Sequence, residues 1–228
     1  MNAPSTLPGL FNPVDDAQAV FRTVLEALSR PGIPVPLTVL PPPLPVTGFS
    51  QGVLALALTL CDSDTKLWLD AAADTLEARH HLRFHCASHF VANPSEASFA
   101  FIAQAENMPR LDAFNLGRAD FPDRSATLII DTNLSKSKYH KRLYELIGPG
   151  VKGSNCGKWQ SFHSPGMPAW FWEDWERNHA SYPLGVDVVF VETGTDSSGA
   201  PQARLLGLPR TARVREAGAA SQEHTACT

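Results

Sequence analysis

Apolar positions recur with a helical period from Val14 to Ser29. Ala17, Val20, Phe21, Val24, Leu25 and Leu28 form one i, i+3, i+4 stripe. Asn12 or Asp15 stands where a cap belongs, and Pro31-Gly32 ends the run. Seven prolines and no charge between Pro31 and Pro45 predict extended chain at a sheet edge, because proline donates no ladder hydrogen bond. The apolar run Val53–Cys61 suits a buried helix capped by Ser50, although Val53–Leu60 also reads as a strand. Thr65–Leu69 is a short strand pattern and Ala71–Phe84 a helical one; Phe99–Ala103 and Ala126–Asp131 are further strands. Pro168–Arg177 predicts a short amphipathic helix with proline in its first turn. Phe171, Trp172 and Trp175 lie near one face, and Glu173, Asp174 and Glu176 fill the rest.

The last pattern is a hairpin. Val188-Val189-Phe190-Val191 leads through a polar loop to Arg204–Thr211. A turn centred between Ser197 and Ser198 sets Asp187 opposite Leu208, with Asp187 and Arg210 diagonal on one face. Such a pair suits an anion-binding corner or a buried ion pair, and one residue of slip would part them. Strands interleaved with helices and closed by a hairpin give the fold class: α/β, a central mixed sheet flanked by helices.

Composition narrows the function classes. With 228 residues, 43% hydrophobic and 18% charged, the chain fits a single α/β domain over residues 1–216. The small, polar residues 217–228 read as a disordered tail. A net charge of −4 argues against nucleic acid as a partner. The basic segment Lys136–Arg142 reads as a solvated face. Cys61, Cys86, Cys156 and Cys227 are far apart in sequence, as in reducing compartments. The first ten residues lack a signal-peptide pattern, and Val53–Cys61 falls short of the ~20 residues a membrane span needs. The expectation is a cytoplasmic protein without a membrane partner.

Candidate chemistry is sparse. His81, His85 and His89 would stack on a helix, and two such histidines can hold zinc in a stand-alone metal-dependent hydrolase. The first and third would stand about 12 Å apart, however, too far for one ion. No metal is therefore expected. Gly148-Pro149-Gly150-Val151-Lys152-Gly153 satisfies GxGxxG in form, yet no strand-to-helix context surrounds it. A tight turn with exposed N–H groups, able to accept an anion, suits it better. No GxSxG elbow or other nucleophile setting is present. Trp170, Trp172 and Trp175 read as core, with a protein contact as the second reading.

Several fragments, in order, resemble one family. They are Pro13–Gln18 with Phe21-Arg22 and Arg30-Pro31-Gly32, then Leu82-Arg83-Phe84-His85, then Ser125–Leu128. Gly148–Val151, Asn178 to Asp187 and Leu208-Pro209-Arg210-Thr211 complete the set. In this order the chain resembles PhnH, a subunit of the bacterial carbon–phosphorus lyase system. The resemblance implies a fold like the large domain of pyridoxal-phosphate-dependent transferases without the cofactor, and no other cofactor. It implies a homodimer that joins PhnG, PhnI and PhnJ. With PhnG, PhnI and PhnL, the family supports displacement of adenine from ATP by a phosphonate. A separate radical subunit with an iron–sulfur cluster then breaks the carbon–phosphorus bond. This chain lacks the close cysteines for such a cluster. No catalytic residue is expected in this chain, which is read as a subunit of a transferase/lyase complex that does not act alone. Phosphonate or ATP in the complex would meet Arg83, His85, Asp187 and Arg210, and a purely structural adaptor is the rival reading.

Overall fold

In the computed structural model, residues 8–44, 48–132 and 142–218 are described. The basic segment up to Lys141 and the tail from residue 219 lie outside them. The element order is α1 (Pro13–Ser29), β1 (Val35–Leu37), α2 (Gln51–Leu60), β2 (Lys66–Leu69), α3 (Leu76–Cys86), β3 (His89–Phe90) and β4 (Phe99–Ile102). There follow β5 (Thr127–Asp131), β6 (Leu143–Ile147), β7 (Gln160–His163), α4 (Ala169–Ala180), β8 (Asp187–Thr195), β9 (Pro201–Leu208) and β10 (Arg213–Glu216). Among the described residues, no helix is long and apolar enough to cross a membrane.

Seven strands form one mixed sheet in the order β1-β9-β8-β5-β4-β2-β3. From β3 to β8 neighbours run parallel; β9 and β1 add antiparallel edges. The central strands are apolar on both faces, as strands covered on both sides must be. Phe101, Ile129, Val189 and Val191 enter a core beneath α1, α2 and α3. Ile102, Leu128, Ile130, Val188 and Phe190 enter a second core. That core is closed by α4 and by the small antiparallel sheet β10-β6-β7.

The α2 segment is a helix, not a strand. The Ser50 hydroxyl accepts the Val53 N–H at 3.3 Å, and residues 52–57 are all buried. In α1 the Asn12 side chain caps the start. The expected apolar stripe of α1 is divided, however. Val20, Val24 and Ala27 are buried, whereas Phe21 and Leu25 are about half exposed. The reason is a close approach to β9. A Cβ on Gly207 would stand 2.3 Å from the Ala27 carbonyl oxygen. The contact line therefore runs through positions 20, 24 and 27. Phe21 and Leu25, about 100° further round the helix, turn outward.

Two further expectations are corrected. The α3 helix starts at Leu76 rather than Ala71, because Thr75 caps it and accepts the Ala78 N–H at 3.0 Å. It stops at Cys86, where Ala87 adopts φ 52°. His89 thus leaves the helix and pairs with Lys66 on the edge strand β3. The His81–His85–His89 stack does not form. Among the described residues, no three His, Cys, Asp or Glu side chains gather as metal ligands would.

Candidate functional site

The segment Asn178–Asp187 leaves α4 and enters β8, and its polar groups are bonded inward. The Asn178 side chain accepts the Val186 N–H at 2.8 Å and donates to the Val186 carbonyl at 3.0 Å. Val188 pairs with Leu208, so Asp187 is level with Pro209, one residue away from the expected partner. The hairpin closes about Ser198. Strict alternation would now part Asp187 from Arg210. They meet nevertheless, because Arg210 lies in the Pro209–Ala212 turn, beyond the pleat, where the Ala212 N–H bonds the Pro209 carbonyl.

Arg210 donates its backbone N–H to Asp187 Oδ1 at 2.7 Å. Its guanidinium gives Nε–H to the same oxygen at 3.1 Å and Nη2–H to Oδ2 at 2.5 Å. The second Nη2–H goes to the Ser125 hydroxyl. The two Nη1–H groups go to the Pro122 and Pro183 carbonyls at 3.0 and 3.3 Å. A guanidinium carries five N–H donors, and all five are matched within the chain. The Arg210 side chain is only 12% exposed. Its own carbonyl accepts from His179 Nδ1 at 3.0 Å. This is a clamp joining β8, the end of β9 and the loop before β5.

The Gly148-Pro149-Gly150 turn follows β6 and wedges into the packing. Gly150 has φ +79°, and a Cβ there would lie 2.1 Å from the Ser29 carbonyl oxygen. The Gly148 N–H donates to Ser154 Oγ at 3.1 Å, and those of Val151, Ser154 and Cys156 bond backbone carbonyls within the turn. Much of the expected anion nest is therefore internally occupied.

Arg83 and His85 lie elsewhere. Both are exposed on α3, with the Arg83 guanidinium 5.4 Å from the Phe90 ring centre on β3. The His85 ring lies tilted at 53° to the His81 ring, with centres 4.4 Å apart, and Gly9 packs against the His85 ring, where a Cβ would stand 2.9 Å from its Nδ1. Four strand intervals separate β3 from β8, which amounts to about 19 Å at ~4.8 Å each. The four candidates thus form two separate pairs. His81 itself is buried, and among the described residues its Nε2 meets no hydrogen-bond partner. Burial, reinforced by His85 and His80, lowers its pKa to about 4. Cys61 and Cys86 are buried and unbridged; burial raises both thiol pKa values, Cys86 to about 11, so they stay protonated.

A cleft of about 210 Å³ opens beside the Asn178 motif, lined by Leu111, Asp112, Leu116, Asp174, Arg177, Asn178 and Ser181. Its central group is Asp174, expected on the polar face but 4% exposed. Asp174 Oδ1 accepts from Arg110 Nη2 at 2.6 Å and from Arg177; Oδ2 accepts the Leu111 N–H at 3.1 Å. Arg110 also lies over Trp170, 4.9 Å from the ring centre. The signal for Asp174 was in the sequence. Phe171, Asp174, Trp175 and Asn178 fall at i, i+3, i+4 and i+7, and all four are buried. Arg110 carried no such signal, since its partner is 64 residues away.

Trp175 follows the core reading, and Trp170 and Trp172 pack at the edge of the same core. Trp175 is fully buried and donates Nε1–H to the Ala212 carbonyl at 2.9 Å. Trp172 stacks on Tyr144, with ring centres 4.4 Å apart. Trp170 and Trp172 are only partly buried.

Comparison with known proteins covers nearly all of these elements. The alpha-D-ribose 1-methylphosphonate 5-triphosphate synthase subunit PhnH of Rhizobium meliloti (strain 1021) is 34% identical over 206 residues, spanning 89% of this chain and 92% of that protein. The putative C-P lyase subunit protein HtxG of Stutzerimonas stutzeri is 28% identical over 203 residues, spanning 89% and 87%. The family model for the bacterial phosphonate metabolism protein PhnH matches residues 8–215, from the segment before α1 to the end of β10. By these matches the chain belongs to the PhnH family.

Proposed function

We propose that this chain is a subunit of an assembly that transfers the ribose triphosphate moiety of ATP to a phosphonate with release of adenine. It acts there without a reaction centre of its own. The observation that carries the reading is the end-to-end likeness to a relative named as a subunit of that synthase. The inward bonding supports the second half of the reading. Asn178, Asp187 and Arg210 spend their polar groups on holding α4, β8 and the β9 end together. Arg83 and His85, the exposed pair of the four candidates, lie apart from this clamp on α3, on a face this reading gives to a partner subunit.

PhnG, PhnI and PhnJ are the partners in this reading, with a second copy completing a homodimer in the cytoplasm. The parallel β2-β4-β5-β8 centre with helices on both faces supports the likeness to the large domain of pyridoxal-phosphate-dependent transferases. The test is reconstitution. Co-expressed with those subunits and PhnL, the chain should co-purify, and the assembly should release adenine from ATP when methylphosphonate is present. The chain alone should release none. Adenine release by the purified chain, or failure to join any assembly, would refute the proposal.

A further inference from the structure

We propose that the cleft between α4 and the Arg110–Leu116 segment is an oxyanion site for the phosphonate or phosphate end of a small ligand. The inference deepens the functional reading above and rests on it for the choice of ligand.

The charge arrangement is the first argument. Two guanidiniums, Arg110 and Arg177, converge on a single oxygen of a single buried carboxylate. One negative charge thus holds two positive ones. Each guanidinium gives Asp174 one N–H among the described contacts and carries four more. Their side chains are 47% and 63% exposed, so the remaining donors are open to solvent rather than buried in the core; Arg177 lines the cleft, and Arg110 adjoins its lining residue Leu111. Planar forks held in this way match phosphonate oxygens in bidentate fashion.

Preorganisation is the second argument. Arg110 is fixed twice, by Asp174 and by the Trp170 ring beneath it. Arg177 is one turn from the same carboxylate on α4. Asp174 is held in turn by the Leu111 N–H. A site whose donors are already ordered loses little entropy on binding. This contrasts with Arg210, whose five N–H groups have protein acceptors.

Shape supplies the third argument. Leu111 and Leu116 give the cleft an apolar part next to the charged one. That suits a small substituent attached to an anionic head. At about 210 Å³ the space is below the ~300–1,000 Å³ typical of drug-sized ligands, so it takes one end of a nucleotide at most. Asp112 also lines the cleft and opposes an anion.

These features set the test. The full chain, labelled with ¹⁵N, is titrated with methylphosphonate, inorganic phosphate and ATP in separate arms, and amide shifts are mapped. The amides of Arg110, Leu111, Leu116 and Arg177 should move saturably, while those around Arg83 and His85 stay still. Arg177→Gln leaves Asp174 with Arg110 and the Leu111 N–H and should weaken binding about tenfold, in line with loss of a charged hydrogen bond. Asp112→Asn should tighten binding severalfold. Methylphosphonate as the strongest probe identifies an alkylphosphonate site, and ATP as the strongest identifies a triphosphate end. Silence of the cleft amides in all three arms, or unchanged affinity in folded Arg177→Gln, overturns the proposal. A chain that assembles and supports adenine release with a silent cleft loses only this site. A chain that binds at the cleft but joins no assembly loses only the subunit reading.

Discussion

Arg210→Ala tests whether the clamp is structural. The substitution removes five guanidinium donors and, of the described contacts, leaves the Asp187 carboxylate the residue-210 backbone N–H. It also strands the Pro122 and Pro183 carbonyls and the Ser125 hydroxyl, the last on a buried residue. Removing one partner of a buried ion pair costs ~3–5 kcal/mol. Asp187 is 24% exposed and regains some hydration, so the lower end, about 3 kcal/mol, is expected. Arg210→Lys keeps the charge but has at most three donors and no planar fork, which should cost about 1–2 kcal/mol. Adding Asp187→Asn to Arg210→Ala should cost clearly less than the two single losses together, because the residues act as one unit. Equilibrium urea unfolding followed by tryptophan fluorescence measures the unmodified chain and all four variants. An Arg210→Ala loss below about 0.5 kcal/mol, the range of ordinary surface changes, would refute the clamp and return Arg210 to the ligand-binding candidates.

Three other outcomes follow from the same contacts. His81 takes a proton near 6.5 when unfolded but near 4 when folded. Between those values the unfolded chain binds more protons, so stability falls as pH drops through the window, by about 3 kcal/mol in all. His81→Leu should abolish that part of the loss, and identical pH profiles for the two proteins would rule it out. Gly150→Ala, with its Cβ 2.1 Å from the Ser29 oxygen, should cost about 3 kcal/mol or more; Gly157→Ala, at φ +68° with nothing within 4 Å, should cost only about 1 kcal/mol. Equal melting shifts would show that crowding is not the reason for Gly150. Trp175→Phe loses the bond to the Ala212 carbonyl and some ring volume, so about 2 kcal/mol is expected, measured by the same urea titration.

The readable parts of the fold were those governed by local pattern. The α1 period, the Asn12 cap, the strand runs at β4, β5 and β8, and the mixed sheet all appear in the structure near their expected bounds. Features set by distant contacts were less legible. Which side of α1 faces inward depends on Gly207, 180 residues beyond Ala27, so Phe21 and Leu25 were assigned to the wrong face. The hairpin register was off by one because both faces of β8 are apolar and polarity gives no cue. His89 is parted from His81 and His85 at one residue, Ala87, whose left-handed backbone no apolar period announces. At the candidate site, proximity in sequence revealed the Asn178 motif. The Arg110–Asp174 pair required the packed structure.

The position of Gly207 has a practical consequence for engineering this hairpin. Slipping β9 by one residue would bring Leu206 or Leu208 under the Ala27 carbonyl, where a Cβ has no room. Strand alignment is thus fixed at the end far from the 196–200 loop, by the α1 backbone above β9 and by the residue-187/210 anchor. That loop is exposed, and among the described contacts its tip bonds locally around Asp196. An epitope or fluorophore graft at Ser198 should leave the strand alignment undisturbed, giving a handle for following assembly.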